Sequence, residues 1–191
     1  MTVHFATTRY AMPGTMRMRR RMSAALASLL IGAVITVSAQ EGSRAGLTPA
    51  EKDFVASAAM GANYQVAAAK VALAKSKSDV VRRYAEGMIT DHTAMLDRLT
   101  TTVRAADPTV QLPTTLDVTG QERLRALTAA VDGFDLTYRG QMMSSHTEEE
   151  AAYRAFLENS TSNAGVRALI ASGLPMVQAH LGAAKELPRR I

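Results

Sequence analysis

The chain has 191 residues, of which 47% are hydrophobic and 20% charged, enough apolar material for one good core in a single domain. It contains no cysteine and no tryptophan. That excludes disulfides, thiolate metal sites, thiol catalysis and a lipid-modified N-terminal cysteine, so any metal must be held by His, Met, carboxylate or amide groups.

Residues 1–39 are expected to form a cleavable export signal. Arg17, Arg19, Arg20 and Arg21 make a positive cluster, followed by the apolar run Ala24 to Val37 and the small-residue pattern Val37-Ser38-Ala39, with cleavage after Ala39. The run is about 14 residues, shorter than the roughly 20 that span a bilayer, so no stable transmembrane anchor is expected after cleavage. An uncleaved anchor is the alternative. Residues 1–16 precede the basic cluster, which makes Met16 or Met18 an alternative start, and the rest of a twin-arginine motif is missing, which points to general secretion. Five of the 22 basic residues and none of the 17 acidic ones fall in this leader, leaving 17 basic against 17 acidic groups. With no basic stripe interleaved with aromatics, nucleic acid is excluded as a partner. The expected address is the periplasm or cell envelope.

After a short linker, 40–47, the segment 48–187 reads as helix after helix, with 188–191 as a tail. Thr48-Pro49-Ala50-Glu51 combines an N-cap Thr, Pro at the first helical position and Glu at the third, a capping box that opens a helix from Pro49 to about Lys75. Its inward stripe is expected to pass through Phe54, Ala58, Gln65, Ala68 and Ala72. Ser78 caps a second helix from Asp79 to about Ala105, with Val81, Ala85, Met88, His92, Leu96, Leu99 and Val103 at helical spacing. Asp107 to Thr119, punctuated by Pro108 and Pro113, reads as a crossover. Thr119-Gly120-Gln121-Glu122 repeats the capping-box pattern and opens a short helix to about Val131, before a corner at Asp132-Gly133. A third long helix follows from Phe134 to about Glu158, its stripe formed by Tyr138, Met142, His146, Tyr153 and Leu157. Asn163 caps a fourth, from Ala164 to about Leu187, in which Pro175 is expected to kink or locally open the backbone. Four long helices with a long connection between the second and third describe an all-α, ferritin-like four-helix bundle whose crossover contains one short extra helix.

Every histidine after the leader has a methionine four residues before it: Met88 and His92, Met142 and His146, Met176 and His180. Four residues along a helix is a rotation of about 400° and a rise of about 6 Å, which leaves both side chains on one face. His92 and His146 fall at the centres of their helices, and His180 about five residues past the centre of its own, an offset of roughly 7 Å. Side-chain length or the proline could close that gap, and Gln65 sits within a turn of the middle of the first helix.

Several ordered segments resemble a known family. These are Glu51-Lys52-Asp53-Phe54-Val55 with Ala58-Ala59; Tyr84-Ala85-Glu86-Gly87-Met88-Ile89-Thr90-Asp91-His92; Gly133-Phe134-Asp135 with Tyr138 and His146; and Leu174-Pro175 followed by His180-Leu181. Over roughly residues 50 to 187 the chain resembles the bacterial exported domain of unknown function 4142. The resemblance implies a ferritin-like bundle and an outer-membrane or periplasmic address, and it implies no biochemical activity. Where members of that family carry a Glu in the first helix after a Gly-Gly pair, this chain reads Gly61-Ala62-Asn63-Tyr64-Gln65, with neutral Gln65 in the carboxylate's place. No Glu-x-x-His occurs, and the nearest arrangement is reversed, His146 with Glu149 or Glu150, so a ferroxidase-type centre is not expected.

The candidate metal ligands are therefore His92, His146 and His180, with Met88, Met142, Met176, Asp91 and Glu150 as further donors. Imidazole with thioether and no thiolate favours copper, with iron or zinc as the alternative, while Asp91 and Glu150 would shift preference toward harder ions. The plainer reading is that the methionines fill the core, that Asp91 orients His92 or pairs with Arg82, Arg83 or Lys75, and that Glu148 to Glu150 are a solvated acidic face. On that reading the chain is a non-metal envelope-stress or interaction module with structurally buried histidines, and His92 should bond Asp91 or a backbone carbonyl. An enzymatic role for His146 and Glu150 as acid and base ranks last, because nothing supplies a nucleophile or oxyanion site. Protein partners are left open, and a homo-oligomer is allowed.

Overall fold

A computed structural model describes residues 46–159 and 161–188. The expected signal segment and its cleavage site lie outside the described residues. Five helices make up the fold: α1 (Pro49–Lys75), α2 (Asp79–Ala106), α3 (Val118–Ala129), α4 (Phe134–Glu158) and α5 (Ala164–Glu186). No strand occurs among the described residues, and no helix there is long and apolar enough to cross a membrane.

The helix starts follow from their caps. Thr48 Oγ1 accepts from the Glu51 amide at 3.3 Å while Glu51 Oε2 accepts from the Thr48 amide at 2.7 Å, so two of the otherwise orphaned first-turn donors are satisfied reciprocally. Ser78 accepts from Val81, and Asn163 from Gly165 and Val166. The short helix departs from expectation. Its cap is Asp117, whose Oδ1 accepts from the Gly120 amide at 2.6 Å, and Thr119 lies inside the first turn. A carboxylate at a helix N-terminus binds the amide as a charge-assisted acceptor and outcompetes a hydroxyl two residues later. That helix also stops at Ala129, short of Val131. Gly133 caps α4 in the left-handed region, φ +68°, which is why the corner carries glycine. α5 runs unbroken through Pro175. The proline and Ala171, whose carbonyl loses its partner, both lie on the exposed face, where water can take the bond.

The four long helices pack in a ring in which α1 lies against α2, α2 against α5, α5 against α4 and α4 against α1; α3 covers α1 and α4. Two apolar clusters fill the interior. One holds Ala68 and Ala72 of α1, Val81, Ala85 and Met88 of α2, Leu127 of α3, Tyr138 and Met142 of α4, and Ala184 of α5. The other holds Val55 and Ala59, Met95, Leu99 and Val103, Tyr153, and Val166, Ile170 and Val177. Following each helix from one cluster to the other makes every neighbour in the ring antiparallel. The crossover returns the chain to the first cluster, fastened by Asn63 Nδ2 donating to the Pro113 carbonyl at 3.0 Å and by Lys52 Nζ 2.9 Å from Asp107. The inward stripes are rotated slightly from those expected: Val55, Ala59 and Met95 are buried, whereas Phe54, Ala58 and Leu96 are half-buried.

Between the two clusters each long helix contributes polar residues: Gln65 from α1, His92 from α2, Ser145 and His146 from α4, and His180 from α5. Gln65, His92, Ser145 and His146 are buried. A polar layer across an otherwise apolar core costs desolvation that hydrogen bonds or a ligand must offset.

Candidate metal centre

Three imidazoles from three helices meet in that layer. Ring centroids are 5.6 Å apart for His92 and His146, 5.2 Å for His92 and His180, and 5.4 Å for His146 and His180. One nitrogen from each ring lies within 4.8 Å of the other two. The expected offset of His180 is absorbed by stagger: on α5 the change from one cluster to the other falls between Val177 and Ala184, well past the helix midpoint.

Hydrogen bonds orient two of the rings. His146 Nδ1 is 2.7 Å from the Met142 carbonyl, an acceptor only, so Nδ1 carries the proton and the Nε2 lone pair is free. His180 Nε2 is 2.8 Å from Asp91 Oδ2, which leaves Nδ1 as its free nitrogen. Both free nitrogens are buried without a partner, and His92 has no partner at either nitrogen. Fixing the remote nitrogen on a carboxylate or carbonyl, so that the near one offers its lone pair, is the support that metal-ligating histidines require.

Charge state agrees with this arrangement. Burial holds the His92 imidazole well below its usual value, with His146 and His180 beside it adding to the effect. Burial also pushes His146 down to about 4, against the opposing Met142 carbonyl and with help from His180. Neutral imidazoles at neutral pH are the form that binds metal. Nitrogens bound to one ion at about 2.0–2.1 Å stand roughly 3.4–4.2 Å apart, so three nitrogens within 4.8 Å of one another could hold an ion after small ring rotations.

The remaining predicted donors fall in different places. Asp91 is half-exposed and serves through His180, not through His92. Glu150 is not brought to the centre; its Oε1 accepts from Arg154 at 2.6 Å and from Gln178 at 2.9 Å. Met88 and Met142 are fully buried in one apolar cluster, whereas Met176 is partly buried against the other. Gln65 bonds Ser145, its Nε2 3.2 Å from the hydroxyl oxygen. The satisfied core histidine of the plainer reading should have tied His92 to Asp91 or a carbonyl, and neither bond is present.

Glu149 is the residue that the sequence reading passed over as part of an acidic face. Its Oε2 is buried without a hydrogen-bond partner, and burial pushes its carboxyl up to about 7 although Tyr153 and Gln65 favour the charged form. The signal was present in the spacing, since Met142, His146, Glu149 and Tyr153 recur at four, three and four residues along one helix face.

The sequence also matches the family described as domain of unknown function (DUF4142) over residues 36–187. The chain belongs to this family. No curated protein and no solved structure matches it. The DUF4142 description carries no activity, so the chemistry of the site has to come from its geometry.

Proposed function

We propose that this DUF4142 chain is an exported, ferritin-like four-helix bundle that holds one transition-metal ion at His92, His146 and His180, with copper as the first choice and zinc or iron as alternatives. The observation that carries this reading is the set of three convergent imidazoles whose inward nitrogens are buried and unpaired while two of their outward nitrogens are engaged. Buried polar atoms without partners are rare in folded proteins and call for a ligand. The antiparallel ring with its long crossover from α2 to α4 supports the ferritin-like reading. Export rests on the basic and apolar leader in residues 1–39.

Copper is preferred on donor chemistry. Neutral nitrogen donors bind Cu(II) most strongly among the divalent first-row ions, and Met88 and Met142, buried one turn from His92 and His146, suit Cu(I). With Gln65 in place of a carboxylate and Glu150 engaged elsewhere, the three-histidine set carries no negative charge, which argues against a di-iron carboxylate centre. Elemental analysis of the mature protein, followed by Cu(I), Cu(II) and Zn(II) titration of wild type and His92→Ala, tests this. The expected outcome is one ion per wild-type chain and loss of stoichiometric binding in the variant, with helical content retained. Equal uptake by both proteins would reject the assignment.

A further inference from the structure

A cleft of about 320 Å³ opens between α1, α3 and α4, lined in part by Gly61, Tyr64, Gln65, Ser145, Glu149 and Tyr153. Three of these, Gln65, Ser145 and Glu149, are polar groups at the level of the histidines, and Ser145 and Glu149 flank His146 on α4. The cleft therefore reaches the polar layer between the two apolar clusters, with Tyr64 of one and Tyr153 of the other on its wall. At that point lies the buried Oε2 of Glu149, which no side chain or backbone donor satisfies. The other charges of the cleft are committed: Asp117 caps α3 and Glu148 pairs with Arg123 at 2.7 Å. A buried, unpartnered carboxylate oxygen on a side chain that lines a solvent-connected cleft is complementary to a cation, and His146, one turn away on α4, offers that cation a free nitrogen.

We infer that Glu149 forms a carboxylate subsite on the access route to the histidine centre, capturing the metal ion in the cleft and passing it to His146. This rests on the metal-binding reading above. A competing approach exists on the opposite side, between α2 and α5, where Asp91 is 46% exposed and His180 12%. Two glycines separate the routes. A side chain at Gly61 meets nothing within 4 Å and would project into the cleft; Gly87 is equally open but lies on α2, one turn before Asp91.

The test is the rate of Cu(II) loading into metal-free mature protein, followed by quenching of tyrosine fluorescence, which is unobscured because the chain has no tryptophan. Glu149→Gln and Gly61→Leu are expected to load at least tenfold more slowly than wild type, with unchanged final stoichiometry and with Gly87→Leu loading at the wild-type rate. Should Glu149→Gln not fold, Gly61→Leu, which removes no buried group, carries the test by itself. Wild-type loading rates in both cleft variants, or slowing confined to Gly87→Leu, would overturn the route while leaving the histidine centre intact. Absence of any bound metal in wild type would overturn both.

Discussion

At the scale of the residue, His92 is the side chain whose presence the fold does not explain. It is completely buried, both nitrogens lack partners, and it stands at a position where helical periodicity would accept leucine. An unsatisfied buried polar group costs about 1–3 kcal/mol. His92→Leu should therefore stabilise the metal-free protein by about that amount while abolishing metal binding; urea denaturation with and without metal measures both effects. A variant less stable than wild type without metal would show that His92 is a structural residue. Asp91 illustrates a different outcome. The sequence places it beside His92, but one step along a helix turns a side chain by about 100°, so it projects outward and meets His180 of α5 instead.

At the scale of the element, the caps set the boundaries and also tie helices together. Glu51 closes the α1 capping box through Oε2, and through Oε1 it accepts from the Asn163 amide at 2.5 Å, joining the start of α1 to the start of α5. Its side chain is buried, so truncation leaves amides of two helices short of an acceptor. Glu51→Ala is expected to cost about 2 kcal/mol, read from the denaturation midpoint, with no change in metal stoichiometry. The capping box was legible because its four residues are consecutive; the second role was not, because Glu51 and Asn163 are brought together only by the packing of α1 and α5. The start of α3 shows local competition, where Asp117 and Thr119 are both acceptable caps by pattern and the charged acceptor prevails.

At the scale of the whole molecule, the polar layer makes stability depend on pH. His92 and His146 bind protons less readily folded than unfolded, so the unfolded state takes up more protons as pH falls below about 6.5. Their contribution is complete above that value and is lost progressively toward about 4, where His146 itself titrates. Glu149 acts in the opposite sense: its folded value is raised to about 7, so its contribution is present in acid and lost as pH rises from about 4.5 to 7. The two effects partly cancel in wild type. Metal-free Glu149→Gln, freed of the opposing group, should lose stability more steeply on acidification than wild type, by on the order of 1 kcal/mol per pH unit, in a series of denaturation curves between pH 4 and 7. Identical slopes would place Glu149 in a solvated environment and contradict its burial.

The amino-acid sequence by itself determined the helices, the caps of α1, α2 and α5, the long crossover and the family, because these depend on periodicity and on residues within a few positions of one another. It also picked out the three histidines, since each has a methionine four residues before it on the same helix face. Which nitrogens face each other, which of Asp91, Glu149 and Glu150 turns inward, and how far α5 is staggered were decided only by the tertiary structure. The rotation of each helix about its axis and its slide along its neighbours are fixed by packing across the core, and at about 100° per residue a small rotation moves a carboxylate from solvent to the interior.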